Sequence, residues 1–201
     1  MLRIATAVFL LSPVVAQAQC LTPEALDTGI TITFGNGNLS YVQRTASGSI
    51  LDAYDNQQSY YKEIILLETL DGVIELSRVS HEKDQWSPVT SGRMAYDFAV
   101  EILAPYMPGT RGGGSATRVR PDYRDTPKAV GWSAFERAPL LVGECSYQAT
   151  QVFITEFDSR RGDLYAREIT YLPELGFGIQ RANSYYNLPL ENATILSMSA
   201  D

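Results

Sequence analysis

From residue 30 to residue 79 the chain is a succession of short runs rich in β-branched and aromatic residues, each closed by a turn signal. Thr31 to Phe34, Leu39 to Thr45 and Ser49 to Tyr54 are separated by Gly35-Asn36-Gly37-Asn38 and by Ser47-Gly48. Tyr60 to Leu70 and Val73 to Val79 flank Asp71-Gly72. Asp-Gly between two such runs is a strong hairpin signal, because a tight primed turn needs positive φ at both central residues. Runs this short, broken this often, leave no room for long helices and read as an antiparallel meander. A two-residue turn at Asp71-Gly72 sets a register in which Leu67 faces Leu76, Thr69 faces Ile74 and Glu68 faces Glu75.

The pattern resumes further on. In Ala95 to Leu103, Tyr96, Phe98, Val100 and Ile102 alternate as in a strand ending before Pro105, although Ala95, Ala99 and Leu103 also fit a helical stripe. Glu144 to Phe157 alternates with Cys145, Tyr147, Ala149, Phe153 and Phe157 on one face, followed by strands over Leu164 to Tyr171 and Phe177 to Ala182 and a weaker one at Ile195-Leu196. The expectation is a mainly β fold of eight to ten strands, a single antiparallel sheet domain (half-barrel, barrel or sandwich) with little helix. Residues 104–128 differ in character: proline, glycine and arginine dominate around Arg111-Gly112-Gly113-Gly114-Ser115. This segment reads as a long mobile loop carrying Arg111, Arg118, Arg120, Arg124 and Lys128 against Asp122 and Asp125. It is the basic patch of an acidic chain, and its expected target is anionic.

The first residues have a separate logic. Met1-Leu2-Arg3 opens basic, Ile4 to Val15 is apolar apart from Thr6, Ser12 and Pro13, and Ala16-Gln17-Ala18 is a small-residue cleavage signature. Together they read as a signal peptide over residues 1–18, with one β domain over 19–201 and a periplasmic or secreted destination. The apolar stretch falls short of the ~20 residues of a permanent span, so no integral membrane segment is expected. Lipidation of Cys20 needs a small residue before it, and Gln19 stands there. Cys20 and Cys145 are the two cysteines, and in an oxidising compartment they are expected to form one disulfide. Charged residues number 16 Lys and Arg against 23 Asp and Glu, a net charge of −7 that argues against a nucleic-acid partner.

The stretch from Gly143 to Arg181 contains Cys145-Ser146-Tyr147, a long strand, a turn, a strand ending at Tyr171, and Pro173-Glu174-Leu175-Gly176 before a final strand. In this it resembles the closing hairpins of bacterial periplasmic curved-sheet (half-barrel) β proteins, some of unknown function and some carrying lipid or lipoprotein. The resemblance implies a non-enzymatic envelope protein with an apolar concave face, and no named binding residues.

Catalytic patterns are sparse. Asp27-Thr28-Gly29 matches the aspartic-protease triplet, with Leu140-Leu141-Val142-Gly143 as its apolar companion, but the chemistry needs two such aspartates. His81 is the one histidine available to a serine or cysteine hydrolase, and it sits in the polar stretch His81-Glu82-Lys83-Asp84. Glu156 with Asp158, or Asp163 with Glu168, would suit a glycosidase only at the right separation, and otherwise read as surface charge. Arg161-Gly162-Asp163 matches an integrin-binding tripeptide but reads as a hairpin turn, and Asn192-Ala193-Thr194 is a glycosylation sequon. Tyr60-Tyr61, Tyr185-Tyr186, Trp86 and Trp132 are aromatic candidates for a groove or for cross-strand packing. No metal site or cofactor is expected. The expected function is an exported, non-enzymatic protein that binds a protein partner or apolar ligand through a sheet face or the 104–128 segment; the alternative is a hydrolase using His81 or Asp27.

Overall fold

The computed structural model describes residues 20–56, 63–82, 85–86, 91–100, 106–121, 123–185 and 193–200. The segment read as a signal peptide, and Tyr60-Tyr61 and Tyr186, lie outside them. Strands β1 (Ile30–Phe34), β2 (Leu39–Arg44), β3 (Ile50–Asn56), β4 (Glu63–Leu70) and β5 (Ile74–Glu82) form the expected meander. β6 (Gln85–Trp86) and β7 (Gly92–Tyr96) both pair with β5. Strands β8 (Arg111–Arg120), β9 (Tyr123–Glu136), β12 (Thr150–Asp158), β13 (Asp163–Leu172) and β14 (Phe177–Tyr185) continue the sheet, and β15 (Ile195–Ala200) returns to pair with β1. A separate hairpin, β10 (Leu140–Val142) and β11 (Cys145–Tyr147), interrupts the path between β9 and β12. Among the described residues the one α-helix, α1 (Ala25–Thr28), is a single turn.

The result is 66% strand and 3% helix, in one large antiparallel sheet of 12 strands that is not closed into a barrel. With β6 and the separate hairpin included, the strands outnumber the eight to ten expected. Strand twist, summed over so many strands, curls a sheet upon itself. Its two ends meet: the Ala193 amide donates to the Arg181 carbonyl at 2.9 Å, and Arg181 Nε donates to the Ala193 carbonyl at 2.6 Å. The curl also brings the β4–β5 turn against β14. Gly178 N donates to the Asp71 carbonyl, and a Cβ on Gly72 would lie 2.4 Å from the Gly178 carbonyl oxygen. Gly72, at φ 70°, is thus required both by the turn and by the close approach.

Two apolar clusters follow from the curl. One gathers Leu26, Ile30, Ile32, Phe34, Val42 and Ile50 with Leu172, Phe177 and Ile179 from the other end of the sheet, under Val142, Cys145 and Tyr147. The other gathers Val73, Ile74, Met94, Val130, Trp132 and Ile154 with Ile169 and Tyr171. Tyr171 and Leu172, consecutive on β13, belong to different clusters, so this part of the strand is buried on both faces. The disulfide Cys20–Cys145, with a Cα–Cα distance of 5.5 Å, pins the start of the described chain to the first cluster. Beside it Leu21 N donates to the Tyr147 hydroxyl at 2.9 Å.

Four expectations are corrected. The Asp71-Gly72 turn forms with both φ positive, but the pairs are Leu70↔Ile74 and Thr69↔Glu75, and a bulge makes the next pair Glu68↔Ser77. Glu75 therefore turns to the inner face, the side bearing Ile30, Val42, Ile50 and Leu67, instead of facing Glu68. Second, Glu144 to Phe157 is two strands, broken at Gln148-Ala149. The break reverses the faces: Cys145 and Tyr147 are buried, then Val152, Ile154, Glu156 and Asp158, while Phe157 is exposed. Third, the strand expected over Ala95 to Leu103 ends at Tyr96. Fourth, the loop expected over 104–128 is largely the β8–β9 hairpin. Its glycines make room for packing: a Cβ on Gly112 would lie 2.6 Å from Trp132 Nε1, and one on Gly114 would lie 2.4 Å from the Phe98 ring.

Candidate functional site

The β5 bulge and the break at Gln148-Ala149 place acids in the interior, and arginines from distant strands meet them. Arg118 (β8) contacts Glu75 (β5) at 2.8 Å and Glu156 (β12) at 3.4 Å. Arg78 (β5) contacts Glu75 at 3.0 Å, and Arg167 (β13) contacts Glu156 at 3.4 Å. The Tyr96 hydroxyl donates to the Glu75 carbonyl at 2.8 Å. Burial opposes the charge on Glu75, but Arg78, Arg118 and Arg167 outweigh it and hold its carboxyl down at about 2. Burial likewise works against the Arg78 charge, and Glu75, Tyr165 and Glu156 reverse it, raising the guanidinium above its ordinary value. A carboxylate held this firmly ionised is a fixed counter-charge at neutral pH, not a proton donor. The chain of five charges cross-links β5, β8, β12 and β13 from within.

This redistributes the basic residues of the expected loop. Arg118 lies inside the ionic chain. Lys128 turns inward to Asp158 at 3.6 Å. Arg111 stands at the opposite end of β8, opposite Ser133. Arg120 and Arg124 remain at the β8–β9 tip, Arg124 exposed and Arg120 half-buried.

They acquire neighbours that the sequence reading did not select. β9 and β12 are antiparallel partners from Thr150↔Glu136 to Asp158↔Lys128, so the β8–β9 and β12–β13 hairpins point their tips the same way. The β12–β13 turn exposes Arg160 and Arg161, whose amides donate to Asp158 Oδ1 at 2.9 and 3.2 Å. Burial opposes ionisation of Asp158, but these amides and Lys128 prevail and hold its carboxyl below the usual range. At the bulge between Arg118 and Arg120 the first tip changes course. Partial burial lowers the Arg120 guanidinium, and the positive charges of Arg118 and Arg161 lower it further. Arg120 also lies over the Tyr123 ring, 5.2 Å from its centroid. The exposed Asp125 accepts from the Arg120 amide at 3.3 Å. Two adjoining tips thus present Arg120, Arg124, Arg160 and Arg161 as a basic rim. The signal for the second pair was the Arg160-Arg161-Gly162 turn itself, but its proximity to Arg120 depends on strand order.

The other candidates are placed elsewhere. Asp27 sits in α1, exposed, and its carboxylate is paired with Arg44 Nη1 at 2.6 Å, an ion pair in place of the proton-sharing second aspartate that the protease reading needs. Leu140-Leu141-Val142-Gly143 forms part of the β10–β11 hairpin. His81 lies within β5, half-buried, paired across to Ile64 rather than in a loop. The acids expected at the surface are interior: Glu156, Asp158, Asp163 and Glu168 are all buried, Glu168 with Arg137 Nη1 at 2.9 Å. Burial of Asp163 also removes the carboxylate that an Arg-Gly-Asp ligand must display. Trp132 is a core residue stacked edge-on to Tyr106, 5.8 Å between centroids. Among the described residues no group of histidine, cysteine and acidic side chains is arranged to hold a metal ion.

A second surface lies on the outer face of β8, β9, β12 and β13. Gly113, Gly131, Thr155 and Ala166 align across the four strands, leaving a channel floored by small residues. Phe153, edge-on to the exposed Phe135 at 5.8 Å, stands on one side of it, and the exposed Phe157 and Leu164 stand on the other. No protein-family model, curated protein or solved structure matches the chain, so the basic rim and the outer channel are weighed on their own geometry.

Proposed function

We infer that this protein is exported and acts by binding, without catalysis, an anionic component outside the cytoplasm through the basic rim. The observation that carries the reading is the convergence of Arg120, Arg124, Arg160 and Arg161 on two adjoining tips of a chain with net charge −7. Clustered cations create a local field that attracts anions and fixes their orientation. The amino-terminal pattern over Met1 to Ala18 and the Cys20–Cys145 disulfide support export to an oxidising compartment. The outer channel favours a second reading, in which a protein partner inserts apolar side chains between Phe153 and Phe157.

The rim is tested with soluble polyanions. The protein is loaded on immobilised heparin and its salt of elution compared with that of a variant carrying Arg→Gln at 120, 124, 160 and 161. The variant is expected to elute at much lower salt, with a far-UV circular dichroism spectrum that remains that of the folded sheet. Equal elution of the two proteins would remove the rim as the binding surface.

A further inference from the structure

The rim is flanked by apolar side chains. Phe157 and Leu164 are direct cross-strand partners, and they stand immediately before and after the Asp158–Asp163 turn that carries Arg160 and Arg161. Both are 42% exposed although large and hydrophobic. On the other tip Tyr123 is 45% exposed and Pro121 is exposed beside it. A soluble polysaccharide offers charge but no apolar phase for such side chains. A bilayer offers both, since its headgroup layer carries phosphate and its acyl boundary accepts aromatic and aliphatic side chains at shallow depth.

We propose that the β8–β9 and β12–β13 tips form a peripheral docking face for an anionic lipid bilayer, with the four arginines on headgroup phosphates and Phe157, Leu164 and Tyr123 at the acyl boundary. The proposal rests on the anion-binding reading of the rim and narrows it to one partner. Charge complementarity and the apolar pair act together. The arginines concentrate the protein at a negative surface, where each basic residue contributes a separate increment of affinity. The apolar pair then makes the attachment outlast what screening alone would permit. Behind the tips the ionic chain joins β8 to β12 and β12 to β13.

The experiment is co-sedimentation of the full chain with phosphatidylcholine vesicles, with and without phosphatidylglycerol as about one lipid in three, at low and raised salt. Binding is expected only with the anionic lipid. Arg→Gln at 120, 124, 160 and 161 is expected to weaken it by about fivefold per arginine. Phe157→Ser with Leu164→Ser is expected to weaken vesicle binding at least several-fold while leaving heparin elution unchanged, and the retained heparin elution shows that the fold survives the loss of the cross-strand pair. Retention on heparin without vesicle binding, or vesicle binding indifferent to Phe157 and Leu164, would overturn the lipid assignment and leave the anion reading standing. Failure on both heparin and vesicles would remove both.

Discussion

The inner face of the sheet has two halves that handle an inward-facing acid in opposite ways, Glu75 fully buried and Asp52 half-buried. On β5 Glu75 is completely buried, yet Arg78, Arg118 and Arg167 hold its carboxyl down at about 2 despite desolvation. On β3 Asp52, in the same row as Val42 and Leu67, accepts a hydrogen bond from the Ser40 hydroxyl. There the loss of hydration prevails over the serine's hydrogen bond and pushes the carboxyl up to about 6. The halves also differ in what ties them. The β1–β3 half is apolar and stapled by Cys20–Cys145, whereas the β5–β13 half is cross-linked by charge. Burial alone therefore does not decide whether an acid is ionised; the cations that the topology brings to it do.

Breaking the staple should have the largest effect. Cys145→Ser opens a loop with a sequence separation of 125, which in the chain-entropy model is worth about 5 kcal/mol. The chemical-denaturation midpoint should fall under oxidising conditions, and the two proteins should converge in reductant. A difference that survives reductant would mean that Cys145 acts through packing.

Breaking the ionic half comes next. Glu75→Gln leaves Arg78 and Arg118 without their common partner, a loss of about 3–5 kcal/mol for a buried pair. The wild-type contribution should also follow pH. Because the folded value lies below the unfolded one, the stabilisation is complete above pH 4.5 and is lost as pH falls through about 2. A Glu75→Gln difference that is the same at pH 7 and near pH 2 would contradict the ionic account.

Asp52→Asn should sharpen the comparison with the smallest effect and the opposite sign. A folded pKa of about 6 against 3.8 unfolded favours the protonated acid, so that contribution is complete below 3.8 and lost as pH rises through about 6. The asparagine variant should be more stable than the parent by about 1–3 kcal/mol at pH 8, with the gain fading below pH 4. Destabilisation at pH 8, read from urea midpoints, would show that the Asp52 carboxylate is held ionised in the folded protein.

Much of the sheet could be read locally. The Asp71-Gly72 turn, the strand runs from Thr31 to Val79 and the strands of 164–182 depend on residues a few positions apart. The misreadings of the buried acids share one cause. Alternation gives the two faces of a strand but not which face is inward, and a single inserted or skipped residue reverses the assignment. The bulge near Glu68 and the break at Gln148-Ala149 did so for Glu75, Glu156 and Asp158. The glycines of 112–114 suggested a loose loop, because their role as room for Trp132 and Phe98 is visible only when those rings are in place. At the rim, Arg120 and Arg124 are legible as basic residues, whereas the approach of Arg160 and Arg161, and the inward turn of Arg118 and Lys128 out of the expected loop, depend on strand order.

By itself the sequence determined the class of fold, the position of most turns and the one possible disulfide, because backbone propensity, positive-φ turns and a single cysteine pair are local or countable properties. Tertiary structure alone decided which acids are buried, which arginines neutralise them and which are left to form the rim. Those outcomes depend on strand order and register, and hence on contacts between residues such as Arg118 and Glu156, 38 positions apart, that no local pattern encodes.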